Sequence, residues 1–164
     1  MKSWMKAALT AVLTGALVVG FVGVGMESPS QACDSAKVAK RTQNERLSWR
    51  TDFDKALVDA KKDAKPVVAF FGTDACGSCD KMVDGTLADK KVQKALEGFV
   101  KVHVDMTDGS DKARKKIADK FEVDSLPAVV FFDEKGEVVR SVKLDKLISA
   151  DEFLGMVKKV ASRS

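Results

Sequence analysis

Pro66-Val67-Val68-Ala69-Phe70-Phe71-Gly72-Thr73-Asp74-Ala75-Cys76-Gly77-Ser78-Cys79-Asp80-Lys81-Met82 is an apolar run that passes through a short polar turn into two cysteines. Helix-compatible sequence follows. The pattern reads as a buried strand that delivers a dithiol to the first turn of a helix. Unpaired backbone N–H groups and the positive end of the helix dipole favour thiolate over thiol at such a place. Cys76 is therefore expected to ionise readily and to act as the nucleophile. Cys79 falls one helical turn later on the same face, within reach to close a disulfide. The chemistry suited to this arrangement is thiol–disulfide exchange.

Two other readings of a C-x-x-C pair are open. It can be half of a zinc site, but tetrahedral zinc needs two more ligands at suitable spacing. Only Cys33 and His103 remain for that role, both far away in sequence. It can also be a structural disulfide, although closing so short a loop removes little entropy from the unfolded chain.

The 164 residues are 45% hydrophobic, enough for one domain with its own core. A formal charge of +4, with lysines alternating with acids, describes a solvated surface rather than a nucleic-acid footprint. Three cysteines are too few for a disulfide framework. One histidine and no tyrosine limit general acid–base chemistry.

Lys2 and Lys6 precede an apolar run from Ala7 to Met26, and Ser30-Gln31-Ala32 has small residues at both ends of a cleavage triplet. Residues 1–32 are expected to be an export signal cut after Ala32. The 20-residue run is also long enough to remain as an uncleaved anchor. Cys33, directly after the cut, raises lipidation as a further option, although Ser30 stands where a lipoprotein signal has a large aliphatic residue. Each option places the remainder outside the cytoplasmic membrane, in the bacterial periplasm or on the membrane's outer face.

Residues 33–46 are polar and basic and are expected to form a linker. Residues 47–164 read as one domain. Leu47 to Asp63 has helical spacing, with Trp49 and Phe53 as core anchors. Pro66 ends that helix and opens the first strand. Asp84-Gly85-Thr86 is expected to break or kink the helix that follows the dithiol, and Asp89 to Leu96 forms another helix. Phe99 to Asp105 alternates as a strand, with His103 in a polar phase, expected at the surface or an edge. Asp111 to Phe121 forms an amphipathic helix with Ala113, Ile117, Ala118 and Phe121 inward. Ala128 to Phe132 is β-prone, Asp133 to Gly136 forms a hairpin turn, and Glu137 to Leu144 is its partner strand. Ser149 and Glu152 make a capping box for a last helix with Phe153, Met156, Val157 and Val160 buried. Helices between strands imply parallel crossovers, and the late hairpin adds an antiparallel pair. The fold class is α/β, a mixed sheet of about four to five strands flanked by helices.

This order, with Cys76-Gly77-Ser78-Cys79 and Leu126-Pro127, resembles the thioredoxin superfamily over residues 47–161. Lys65-Pro66-Val67, Val92-Gln93-Lys94-Ala95-Leu96 and Phe131-Phe132-Asp133 bring it nearest to the exported C-terminal domain of DsbD-type thiol:disulfide interchange proteins. The resemblance implies that Cys76 attacks and Cys79 resolves. It implies that Pro127 is a cis-proline opposite the dithiol, turning the Leu126 backbone outward to pair with a substrate's extended chain. Gly77 and Ser78 would complete the substrate-binding surface. No cofactor beyond the redox-active disulfide is implied. The partners would be proteins carrying disulfides or dithiols, together with a membrane electron donor, and the chain would act as a monomer. Membrane contact would be confined to the N-terminal segment.

Three departures bear on mechanism. Ala75 stands where relatives usually have tryptophan, and Gly77-Ser78 replaces the Gly-Pro of thioredoxin itself. Phe70 occupies the position of a buried acid that helps to deprotonate the resolving thiol, which leaves Asp74 and Lys101 as stand-ins by position alone. The leading expectation is an exported protein-disulfide oxidoreductase working as a reductant. A non-catalytic binding module on the same scaffold, and an electron donor in cytochrome or metal-centre assembly, are the alternatives.

Overall fold

In a computed structural model, the described residues are 41–163. The signal, its cut site, Cys33 and the start of the polar segment lie outside them. Among the described residues three strands form one sheet: β1 (Val67–Gly72), β2 (Val100–Asp105) and β3 (Ala128–Phe132), in the order β2-β1-β3. β1 runs parallel to β2, with Phe70 opposite His103, and antiparallel to β3, with Phe70 opposite Val129.

Every residue of β1 and β3 is buried. Val68, Phe70, Val129 and Phe131 point into one apolar layer, and Val67, Ala69, Phe71, Ala128, Val130 and Phe132 point into the other. A strand covered on both faces needs apolar residues in both phases, so its sequence reads as a continuous apolar run. Helices α2 (Phe53–Lys62) and α5 (Lys112–Lys120) cover the second layer through Phe53, Ala56, Ala60 and Ala118. The first layer is covered by α3 (Gly77–Lys81), α4 (Lys90–Ala95) and α6 (Ala150–Ala161).

The sheet is smaller than the four to five strands expected. Past the turn at Gly136, whose φ is 74°, the chain does not form a full partner strand. Only Val138 and Leu144 bridge to β3, opposite Phe132 and Val129. Between them Arg140–Val142 makes a single 3-10 turn. The Val142 N–H donates to the Val139 carbonyl at 3.0 Å, and both valines turn into the core instead of alternating.

The helix expected from Leu47 starts later. Ser48 is left-handed, at φ 52°, and the backbone then extends so that Arg50 bridges Val102 on the edge of β2. Asp52 caps α2 by accepting from the Lys55 N–H at 2.9 Å. Part of the polar segment expected to be a linker is helical: α1 (Gln43–Leu47) opens on a capping box between Thr42 and Glu45. At Asp84-Gly85-Thr86 the helix neither stops nor kinks away. α3 continues as a π-helical turn over Met82–Leu87, and Thr86 donates to the Ile148 carbonyl at 2.5 Å. Ala113, expected inward, is exposed, and Met156 is half-buried.

Candidate active site

β1 ends at Gly72 beside the C-terminal end of β2, and residues 73–76 cross the top of the sheet to α3. Cys76 is the N-cap of that helix: its backbone is extended, and its Sγ accepts from the Cys79 N–H at 3.1 Å. The two sulfurs are joined as a disulfide. Cys76 is half-buried with one side open, whereas Cys79 is fully buried in the layer that contains Phe70 and Met82. An outside reactant therefore meets sulfur 76 first. The Ser78 hydroxyl lies 3.1 Å from the Cys76 Sγ. Gly77 is exposed, and a side chain there would meet nothing within 4 Å.

The Leu126–Pro127 peptide bond is cis. Pro127 is buried at the start of β3. Leu126 is half-buried and packs on the same apolar cluster that holds Cys79 and supports Cys76.

A polar wall stands beside this apolar floor. The Asp74 carboxylate accepts from the Gln43 backbone N–H at 2.8 Å, and the Asp74 N–H donates to Thr107 Oγ1 at 3.1 Å. The Gln43 side-chain amide donates to the Thr73 carbonyl at 2.6 Å and reaches Asp80 Oδ1 at 3.4 Å. Arg46 pairs with Asp80, the residue after Cys79, and with Asp84 at 2.6 Å. Burial works against the Arg46 charge, yet the two carboxylates outweigh it and raise its pKa. Gln43 is fully buried, and a Cβ on Gly72 would lie 2.4 Å from its Oε1. A glycine is required where helix and strand approach so closely.

His103 departs most from expectation. It is 1% exposed, not a surface or edge residue. It belongs to the outer strand, but Arg50 covers that edge, and the His103 N–H donates to the Arg50 carbonyl at 2.7 Å. Its ring stacks on Phe70 with centroids 5.4 Å apart. Neither ring nitrogen has a hydrogen-bond partner among the described residues. Burial lowers its pKa, against the opposing pull of Asp105 and Asp74, with Arg114 adding to the lowering. The imidazole is held neutral next to the phenyl ring that replaces the buried acid. Asp74 is occupied by Gln43, and Lys101 lies two residues back along β2.

Gln43, Arg46, Asp80 and Thr107 are site neighbours that motif reading passes over. The signal for the first two is Thr42-Gln43-Asn44-Glu45, the sequence form of a capping box, set in a stretch too polar to suggest a packed helix. Among the described residues, no three His, Cys, Asp or Glu side chains gather where they could hold a metal.

A family model described as a thioredoxin-like domain matches residues 53–161. The thiol:disulfide interchange protein DsbD of Cronobacter sakazakii is 27% identical over 152 residues, covering 93% of this chain and 25% of that protein. The protein of the same name from Vibrio cholerae is 27% identical over 120 residues, 73% of this chain and 20% of that one. The chain thus spans about a quarter or less of the curated relatives it matches. Among solved structures, a thioredoxin from Thermus thermophilus superposes with a TM-score of 0.61 at 24% identity, covering 71% of this chain and 89% of that one. The C-terminal domain of Neisseria meningitidis DsbD in its oxidised form gives 0.56 at 23% identity, over 68% and 98%.

Proposed function

The chain belongs to the thioredoxin-like family, and from that premise we propose that it is an exported thiol–disulfide oxidoreductase that reduces disulfides in other proteins. The observation that carries the proposal is the asymmetry of the pair: sulfur 76 is open to one side at a helix N-cap, and sulfur 79 is sealed behind it. In the reduced protein the Cys76 thiolate attacks one sulfur of a partner disulfide, and the partner's other sulfur leaves and takes up a proton. Cys79 then loses its proton and attacks the Cys76 sulfur, releasing the partner's remaining thiolate. The product is the Cys76–Cys79 disulfide, and two electrons have passed to the partner. The pair is itself the redox group, and the cycle uses no other cofactor.

The N–H of Cys79 stabilises negative charge on sulfur 76. Gly77, Ser78 and the outward backbone of Leu126 and Pro127 form the docking surface for an extended substrate chain. Export rests on Lys2, Lys6 and the apolar run after them. In that compartment the dithiol is regenerated by a membrane electron donor, and the chain works as a monomer.

Insulin reduction tests the reading. The full-length chain with a chemical reductant should accelerate precipitation of the insulin B chain, Cys76→Ser should abolish the acceleration, and Cys79→Ala should accumulate mixed disulfides. A folded wild-type chain with no acceleration over reductant alone would end the proposal.

A further inference from the structure

Helix α1 touches both flanks of the dithiol turn. On the near side Gln43 binds Asp74 and the Thr73 carbonyl, and on the far side Arg46 binds Asp80 and Asp84. Five residues of helix have no stability of their own in water. α1 is held by these contacts together with its capping box. The contact with Asp80 bears on the chemistry. That carboxylate directly follows Cys79, and its N–H closes the first turn by donating to the Cys76 carbonyl at 3.0 Å. A negative charge there opposes formation of a thiolate on sulfur 76. The Arg46 guanidinium meets it with both side chains about 15% exposed, where screening by water is weak.

We propose that Arg46 is a positioning residue for the redox site, holding the reduction potential of the Cys76–Cys79 pair up by masking the charge of Asp80. The inference rests on the proposed thiol–disulfide exchange and adds the element that tunes it. The sign follows from which form carries the charge. The reduced pair contains the thiolate and the disulfide is neutral, so whatever stabilises negative charge at sulfur 76 favours the reduced form. Removing Arg46 leaves Asp80 unmasked, destabilises the thiolate and shifts the pair toward disulfide.

The test equilibrates the full-length chain with glutathione and traps free thiols. Two glutathione molecules reduce the protein disulfide and become one glutathione disulfide, so the ratio at equilibrium gives the constant directly. For Arg46→Gln the constant should move about three- to tenfold toward the protein disulfide, which is about 15 to 30 mV more reducing. Asp80→Asn should move it the other way, and the double variant should return close to wild type. Arg46→Lys should stay within about twofold of wild type. A folded Arg46→Gln protein with an unchanged constant overturns the inference. If that variant does not fold, Asp80→Asn decides: a shift toward dithiol supports the masking, and no shift ends it. A wild-type chain that reaches no reversible equilibrium with glutathione sinks the exchange chemistry itself, an outcome distinct from a wild-type constant that Arg46 does not alter.

Discussion

Helices α1 and α6 open on the same device. Thr42 with Glu45, and Ser149 with Glu152, each form a complete capping box. Beyond that first turn they have little in common. α6 runs for 12 residues and buries Phe153, Val157 and Val160 in the layer below the dithiol. α1 runs for 5 and buries only Gln43, a polar residue whose partners lie about thirty positions away. One helix is held by apolar area and the other by hydrogen bonds and an ion pair. The first kind of anchor repeats along the sequence and can be read there. The second depends on groups that only the fold brings near.

The largest effect that sharpens this contrast is expected at Phe153. Its ring is fully buried and lies 5.8 Å from that of Phe131. Phe153→Ala should cost about 3–5 kcal/mol, read as a lower denaturant midpoint with an unchanged slope. On the other side of the comparison, Gln43→Ala removes the amide that donates to Thr73 and leaves that carbonyl short of a partner. The expected loss is about 1–3 kcal/mol. A loss at Gln43 equal to that at Phe153 would mean that the polar seat holds the fold as strongly as the apolar stripe does, and the distinction would fail.

What could be read in advance follows the same division. β1 and β3 stand out because burial on both faces demands unbroken apolar runs. The dithiol turn stands out because Cys76 and Cys79 sit where a strand gives way to a helix. The Ser149–Glu152 box is legible because an apolar stripe follows it, whereas the identical box at Thr42 is followed by charge and is passed over. The strand expected at Glu137–Leu144 fails because Val139 and Val142 satisfy the core from a 3-10 turn as well as they would from an extended chain. His103 sits in a polar phase of its strand, and strand period alone cannot show that Arg50 will lie across that edge.

His103 lets pH probe the boundary between the two kinds of anchor, because it stacks on Phe70 of the apolar layer while facing the polar edge. Burial holds its folded pKa below the ordinary 6.5. The unfolded chain therefore takes up a proton that the folded chain resists. This contribution is absent well above pH 6.5 and destabilises progressively as pH falls below it, by up to about 1.4 kcal/mol per pH unit until the folded-state pKa is reached. Unfolding midpoints measured from pH 7.5 to pH 5 should show this loss in the wild type and a smaller one in His103→Phe. Identical slopes in the two proteins would place the ring in contact with water.

The smallest effect separates the two boxes themselves. Replacing an N-cap hydroxyl by a methyl group costs about 1 kcal/mol when the helix unfolds together with the whole domain. Ser149→Ala should show that full loss in global unfolding, since α6 cannot leave without exposing Phe153 and the apolar layer. Thr42→Ala removes the same hydrogen bond from Glu45. Yet α1 can detach by breaking its contacts to Asp74, Asp80 and Asp84 while the sheet remains whole. Its cost should therefore appear as local opening, with faster amide exchange at Arg46 and Ser48, whose N–H groups are bonded within that turn, and a global change under about half of that for Ser149→Ala. Equal global losses in the two variants would mean that α1 and α6 unfold as one unit. The brace would then be part of the core's cooperative structure, not a separable clamp on the dithiol turn.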